Sequence, residues 1–354
     1  MACCARVPGE EAKYMRVIAG KHKGRGLITV SGSTVRPTTD RVKEAVFNLI
    51  RNKTDGAVVL DLFAGSGALG IEAISRSATS AVFCDHSRDA ITCIKNNLAK
   101  LHENAEVIHK DYRAAISELA HRGFIFDIIF IDPPYDANLE SDVLALIADK
   151  EILNADGIIV LERRRGDPQY KLPQAFAETV TRDYGASTIS IVKRATKVAL
   201  TGTFDPFTLG HKYLVEKALE KFDIVHVVVL TNPDKKPTFT LKKRLHFIEK
   251  SLKPYRKRLK IVFFPGLVID YCKQSGIQYI IRGFRSAVDS QYEEQMAEYN
   301  KTHGGVETIL ISAKDTGISS TIVKERMQAK ENIDMLVDKS ILNEILAEEK
   351  KWKT

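Results

Sequence analysis

Directly behind the apolar run 128–131 stands Asp132-Pro133-Pro134-Tyr135. Asp132 offers a carboxylate, Pro133 a carbonyl aimed by two residues that cannot donate a hydrogen bond, and Tyr135 a ring face. That set suits transfer of a methyl group to an exocyclic amine. The nitrogen lone pair of such an amine is delocalised into its ring, and it is released as the amine hydrogens are drawn onto acceptors. A base turned out of its stack would rest on the tyrosine. The tetrapeptide alone also reads as a proline-rich turn at a strand end.

An upstream segment weighs against that plainer reading. Residues 58–70, VVLDLFAGSGALG, run from a strand through a glycine turn into a helix. Gly65 and Gly67 let the backbone come close to a ligand. A lone G-x-G is shared with every dinucleotide site, but Asp61 ahead of the turn would repel a pyrophosphate. The same acid can hydrogen-bond the amino acid part of a cationic sulfonium donor. Asp85, ending the next strand, is placed to accept from ribose hydroxyls, and Asp111, ending the third, to meet an adenine amine. Each acid has an alternative as a helix N-cap, strongest for Asp111.

A second constellation begins at residue 201 with TGTFDPFTLGH. Nucleotidyl transfer to a phosphate nucleophile needs no strong base, because the attacking oxygen is already anionic; positioning and charge stabilisation carry it. A helix opening at Gly210 and His211 presents backbone N–H groups and an imidazole to phosphates, and Gly202 with Thr203 leaves room for two phosphates to approach. His211 alone also reads as an ordinary helix-start residue. Three further groups follow at strand ends: Lys235 and Lys236 before Pro237, then Arg282-Gly283-Phe284-Arg285, then the hydroxyls of Ser319, Ser320 and Thr321 behind Ile318. Surface charge explains any one of them, not all at strand ends.

The elements that must hold these residues alternate. Apolar runs at 58–62, 81–84, 106–109 and 125–131 are separated by amphipathic stretches near 68–75 and 89–101, with closing strands at 157–161 and 188–192. This predicts a doubly wound parallel sheet. The pattern restarts with strands at 198–200, 224–230, 261–264 and 279–281 and a helix over 210–221. The fold class is therefore α/β, two Rossmann-like doubly wound domains in tandem, with a boundary near residues 193–197: a disordered leader over 1–14, one domain over 15–195 and another over 196–354. Met15 is an alternative start. Residues 332–354 read as one amphipathic helix with Met335, Leu336, Ile341, Leu342, Ile345 and Leu346 on its apolar side.

The chain of 354 residues suits two domains, and no apolar run approaches the roughly 18 residues of a membrane span. Glu10 and Glu11 stand where an export signal would be apolar. Five cysteines at 3, 4, 84, 93 and 272 form no C-x-x-C pair, which argues against a disulfide framework or zinc site and fits a cytoplasmic protein. The net charge of +8 is uneven. Residues 1–196 carry 26 Lys and Arg against 25 Asp and Glu, while residues 197–354 carry 27 against 20. Within the first part, residues 13–53 hold 10 basic side chains against Asp40 and Glu44. Residues 235–260 hold 11 against Glu249 alone, a solvated helix face or a site for phosphate-rich ligands.

The segments RVIAG at 16–20, RPTTDRVKE at 36–44, FAGSGALG and DPPY together resemble the bacterial 16S ribosomal RNA guanine N2-methyltransferase family over residues 15 to about 195. The resemblance implies a methyltransferase fold using S-adenosylmethionine on one guanine of small-subunit rRNA. It also implies that Lys21, Lys23, Arg25, Arg36 and Arg41 neutralise RNA phosphates. Cys84-Asp85-His86 departs from the family's more usual Glu-x-Asp, which leaves the ribose contact open.

Across residues 197 to about 330, GTFDPFTLGH, the KKP turn, IRGFR with Tyr292-Glu293, and ISST resemble phosphopantetheine adenylyltransferase. That resemblance implies a nucleotidyltransferase fold joining AMP from ATP to 4′-phosphopantetheine, with Mg2+, and a homo-oligomer formed through this domain. Thr203, Lys235, Val268 and Arg282 would contact phosphopantetheine. Thr203, Phe204, His211, Gly283, Phe284, Arg285 and Glu293, with Thr316, Gly317, Ile318, Ser319, Ser320, Thr321 and Ile322, would contact ATP. Val268 replaces a longer aliphatic and Asp315-Thr316-Gly317 a bulkier stretch, so the nucleotide loop is the weakest carry-over. Catalysis would rest on His211, Lys235 and Arg282 in one domain and on Asp132 and Tyr135 in the other. Rival readings are a catalytically silent, RNA-binding first domain and a different phosphorylated acceptor in the second.

Overall fold

Strands buried on both faces read as unbroken apolar runs, and the strand Phe126–Ile131 shows why. Ile128 and Phe130 point into one core, Ile129 and Ile131 into another. The computed structural model describes residues 15–30, 40–134, 139–230, 236–284, 287–312 and 318–351, which divide into two units between Arg194 and Ala195.

The first unit opens with a short antiparallel pair, β1 (Met15–Arg16) and β2 (Gly26–Leu27), and helix α1 (Asp40–Ile50). Then come β3 (Val58–Asp61), α2 (Ala68–Ser75), β4 (Ser80–Asp85), α3 (Arg88–Leu101), β5 (Glu106–His109), α4 (Tyr112–His121), β6 (Phe126–Ile131), α5 (Glu140–Lys150), β7 (Leu153–Arg164), β8 (Phe176–Tyr184) and β9 (Ser187–Arg194). The sheet order is β5-β4-β3-β6-β7-β9-β8. Neighbours from β5 to β7 are parallel, and β9 is antiparallel to both β7 and β8. The sheet is the expected doubly wound parallel one, and its closing strands form an antiparallel edge. Strand β8 escapes the sequence reading because one face is open to solvent and its residues do not form an apolar run. The order reverses between β3 and β6, which opens a crevice at their carboxyl ends.

The second unit is β10 (Lys197–Gly202), α6 (Leu209–Lys221), β11 (Ile224–Leu230), α7 (Leu241–Ser251), β12 (Leu259–Phe264), α8 (Val268–Ser275), β13 (Tyr279–Phe284), α9 (Ala287–Gly304), β14 (Glu307–Ser312), α10 (Ser320–Ala329) and α11 (Lys339–Lys351). Its five strands are all parallel in the order β12-β11-β10-β13-β14. The switch point here lies between β10 and β13.

The tail corrects the expectation of one helix from 332 onward. Residues 334–336 form a turn, and α11 begins at Lys339. Asp338 accepts the backbone N–H of Ser340 at 3.0 Å and pairs with Lys212 at 2.7 Å, so a capped and anchored start halts the helix there. Leu336, Ile341 and Ile345 are buried as the periodicity asks, but Met335 falls in the turn and is 78% exposed. Among the described residues no helix is long and apolar enough to cross a membrane.

Candidate active sites

At the carboxyl ends of β3 and β6 the first unit encloses a cavity of about 300 Å³. Asp61, Gly65, Asp85 and Asp132 all line it, with Met15, Thr29 and Val30 forming a wall from the amino-terminal segment. Its glycine turn has a steric cause. Gly65 (φ 53°) and Gly67 (φ 80°) lie in the left-handed region, which side-chain-bearing residues rarely adopt, and Gly67 leads straight into α2. Gly67 lies in the turn without lining the cavity.

The carboxylates are oriented by backbone. Asp61 accepts the N–H of Gly70, and Asp85 those of Gly65 and Ser87, at 2.8–2.9 Å. Burial pushes the Asp61 carboxyl up to about 7, aided by the charges of Asp132 and Asp85 and opposed by the Gly70 hydrogen bond. Three acids around a largely apolar cavity favour a cation over an anion. Asp111 is placed differently: it caps α4 by accepting from Arg113 N–H at 2.9 Å and is not among the residues around the cavity. Tyr135 lies outside the described residues, as does Arg36.

Sequence reasoning missed what holds the cavity's far wall. Asn97 on α3, fully buried, donates to the carbonyls of Ile28 and Ser66, both at 2.9 Å, and accepts from Ile28 N–H at 2.7 Å. One side chain thus ties residues 28–30 to the glycine turn. Glu72 on α2 does similar work, accepting from Ile18 and Ala19 N–H at 2.7 and 2.9 Å while pairing with buried Lys43 at 3.3 Å. Burial pulls the Lys43 ammonium below its usual range against the pull of Glu72. No motif marks these residues, since the amino-terminal groups and the Ser66 carbonyl that they hold lie more than 25 positions away. Lys21, Lys23, Arg25 and Arg41 are exposed, Lys21 pairing with Glu103 at 2.6 Å.

In the second unit the loop after β10 is locked from several sides. Buried Asp205 accepts from Thr238 and Phe239 N–H, both at 2.8 Å, and meets Lys324 of α10 at 3.4 Å. Arg244 donates to the Thr203 carbonyl at 2.7 Å. Thr208 and His211 form a capping box at the start of α6, and the imidazole lies 5.0 and 5.5 Å from the rings of Phe204 and Phe207. Arg282 grips Glu293 through Nε and Nη2 at 2.7 and 2.8 Å, and its Nη1 reaches the Thr201 hydroxyl at 3.2 Å. Both carboxylate oxygens of Glu293 are thereby occupied. Gly283 and Phe284 continue β13 behind Arg282. Ser319 caps α10 through Ile322 N–H, and Ser320 donates to the Pro206 carbonyl, so two of the three expected phosphate hydroxyls carry structural bonds. Thr321 is exposed, Ile318 packs on the core, and Val268 opens α8 half-buried. Lys235, Arg285, Thr316 and Gly317 lie outside the described residues.

Two doubly wound sheets, each with its candidate residues at the strand ends, form a tandem of transferase-like domains, the first methyltransferase-like and the second nucleotidyltransferase-like. A family model described as "Conserved hypothetical protein 95" matches residues 15–193, and the chain belongs to that family. A second model, "Cytidylyltransferase-like", matches residues 199–326, so the chain is a fusion. The chain is 43% identical over 185 residues to "Putative rRNA methyltransferase YlbH" of Bacillus subtilis (strain 168), covering 51% of this chain and 99% of that one. Solved structures similar to it include "Putative methyltransferase yhhF from Escherichia coli" (33% identity, 51% and 98% coverage, TM-score 0.45). Another is the "putative methylase HI0767 from Haemophilus influenzae" (29% identity, 51% and 98% coverage, TM-score 0.43).

Proposed function

We propose that the chain is a bifunctional enzyme. Its first domain, residues 15–195, transfers a methyl group from S-adenosylmethionine to the N2 amine of a guanine in small-subunit rRNA. Its second domain, residues 196–354, joins AMP from ATP to 4′-phosphopantetheine, giving dephospho-coenzyme A and pyrophosphate. The observation that carries the first half is the convergence of Asp61, Asp85 and Asp132 on one cavity at the switch point.

The donor supplies an electrophilic methyl on a positively charged sulfur, and acids in an apolar cavity fit that charge. Asp61 and Asp85 hold its amino acid and ribose parts. Asp132 and the Pro133 carbonyl accept the amine hydrogens, so that electron density builds on nitrogen as the new bond forms. Tyr135 stacks on the extruded base, and Lys21, Lys23, Arg25, Arg36 and Arg41 meet RNA phosphates. Asp111 reaches the adenine only from its capping position.

In the second domain His211, held by Thr208, stabilises charge at the α-phosphate, and Lys235 is the second cation assigned to the phosphates. Glu293 fixes the Arg282 guanidinium, whose remaining Nη2 hydrogen is directed at phosphate. Mg2+ carried in with ATP would supply further neutralisation of phosphate charge beside these cations.

The experiment is to incubate the purified chain separately with phosphopantetheine plus ATP, and with labelled methyl donor plus unmodified small-subunit rRNA. Dephospho-coenzyme A in the first and N2-methylguanine in the second are expected. Absence of either product rejects that half of the reading.

A further inference from the structure

A guanidinium taken out of water destabilises a fold unless it is paired and its donors are satisfied. Arg244, in the first turn of α7, is 6% exposed. Burial disfavours its charge, and Asp205 offsets that only in part. Among the described residues no carboxylate lies within salt-bridge distance of it, Asp205 pairing with Lys324 instead, and its Nε has no hydrogen-bond partner. Its Nη1 donates to the Thr203 carbonyl at 2.7 Å. A charge so poorly compensated adds little to stability, so its use lies in what that bond holds.

What it holds is a strained turn. Phe204 has φ 51°, in the left-handed region that bulky side chains rarely enter. The Thr203–Phe204 peptide is trans, so a carbonyl directed at Arg244 turns the Phe204 N–H the opposite way. Among the described residues nothing accepts that N–H. The Phe204 side chain is buried. Its ring lies over Gly202, where a Cβ would stand 3.1 Å from it, and meets the His211 imidazole edge-on at 5.0 Å. On the far side of Phe204 in sequence, Asp205 is held by the N–H groups of Thr238 and Phe239. Arg244 and the Asp205 bonds therefore clamp Phe204 from both of its neighbours.

We propose that Arg244 is a positioning residue of the adenylyl-transfer site: by holding the Thr203 carbonyl it fixes the Phe204 N–H as a donor for an ATP phosphate and the Phe204 ring as the rest for His211. The proposal rests on the adenylyltransferase reading of the second unit. Arg244 acts through Thr203 and Phe204 rather than on a substrate. A peptide released from it could turn over and present a carbonyl where phosphate needs a donor, and the imidazole would lose one of its supports. Misplacement by about 1 Å can lower a rate on the order of 10²-fold.

The test uses the full chain. Arg244→Met keeps the length of the side chain and loses its donors, whereas Arg244→Lys keeps a charge and a donor. Melting temperature is measured beside kcat and KM for ATP and phosphopantetheine, well below the melting range. Arg244→Met is expected to lower kcat/KM for ATP at least about tenfold, and Arg244→Lys to restore it to within about threefold of wild type. In a His211→Ala background the factor lost through Arg244→Met should shrink, because part of it acts through His211. A residue that only stabilises the fold would lower the melting temperature and leave that factor the same in both backgrounds. Wild-type kinetics in a folded Arg244→Met chain, or an equal factor with and without His211, overturns the proposal and leaves the adenylyltransferase reading standing. Should Arg244→Met fail to fold, Arg244→Gln takes its place in the same comparison. A wild-type chain that forms no dephospho-coenzyme A rejects that reading, and the proposal with it.

Discussion

The backbone N–H of Thr208 donates to Nδ1 of His211 at 3.1 Å, and the Thr208 hydroxyl lies 3.0 Å from the same nitrogen. A nitrogen that accepts cannot carry the proton, so the neutral ring is protonated on Nε2, which leaves that nitrogen the donor of the pair. Replacing His211 with Ala should lower kcat for dephospho-coenzyme A formation by roughly 10² or more, with a smaller change in KM for ATP. Loss of its half of the capping box should cost on the order of 1 kcal/mol. Melting curves and steady-state rates on one preparation separate the two effects. A destabilised variant with near wild-type turnover would leave the histidine only its capping role.

Asp132→Ala should abolish methyl transfer while donor binding, held through the Gly65 turn and Asp85, stays within a few-fold of wild type. Calorimetric titration with S-adenosylmethionine beside a methylation assay checks this. Unaltered methylation would remove Asp132 from the mechanism.

The buried Asp61 predicts a pH dependence. Its folded pKa of about 7 lies above the 3.8 of a free side chain, so the folded chain binds this proton more tightly than the unfolded one. Its contribution to stability is fully present below about pH 4 and is lost as pH rises to about 7. A cationic ligand favours the ionised form, so donor affinity should rise by up to about tenfold per pH unit between roughly pH 5 and 7, with up to one proton released. Asp61→Asn should flatten this profile and, in the free protein at pH 8, be more stable by up to ~4 kcal/mol. Titrations in two buffers of different ionisation enthalpy would show whether a proton leaves.

Asn97→Ala should be costly although Asn97 is not one of the residues lining the cavity. It removes the partner of the Ser66 carbonyl and of the Ile28 N–H and leaves the Ile28 carbonyl to the Cys93 thiol, both groups being part-buried, for a loss of roughly 1–3 kcal/mol. Surviving folded protein should show a weakened donor site, because residues 28–30 are no longer tied to the turn. Equal stability by chemical denaturation would mean that water or a neighbour replaces the side chain.

Residues 197–354 expressed alone should fold and make dephospho-coenzyme A, since β10 opens an entire sheet. Insoluble product from several fragments starting between 190 and 198 would contradict this.

The glycine turn and the place of Asp132 behind β6 were legible because both are local features: a turn, a strand end and the residues next to them. The fold class followed from apolar runs of strand length. Asn97, Glu72 and Lys43 were not legible, because a buried amide or ion pair announces itself only through partners brought by the fold. Asp111 shows the same limit from the other side, since its position suited both a ligand contact and the cap it makes. Asp205, inside a recognised motif, holds a segment more than 30 residues away, which no spacing rule conveys.

The two-residue passage from β9 to β10 has a topological meaning. Because β9 runs against its parallel neighbours, it delivers the chain to the edge of the first sheet remote from the cavity, and β10 departs from the matching edge of the second. Within each unit the junction residues therefore stand at the strand ends opposite those that carry the candidate site residues. Extra sequence spliced in after Arg194 should be tolerated, each doubling of its length adding only ~0.6 kcal/mol of closure entropy, which makes this point a natural insertion site for a reporter domain.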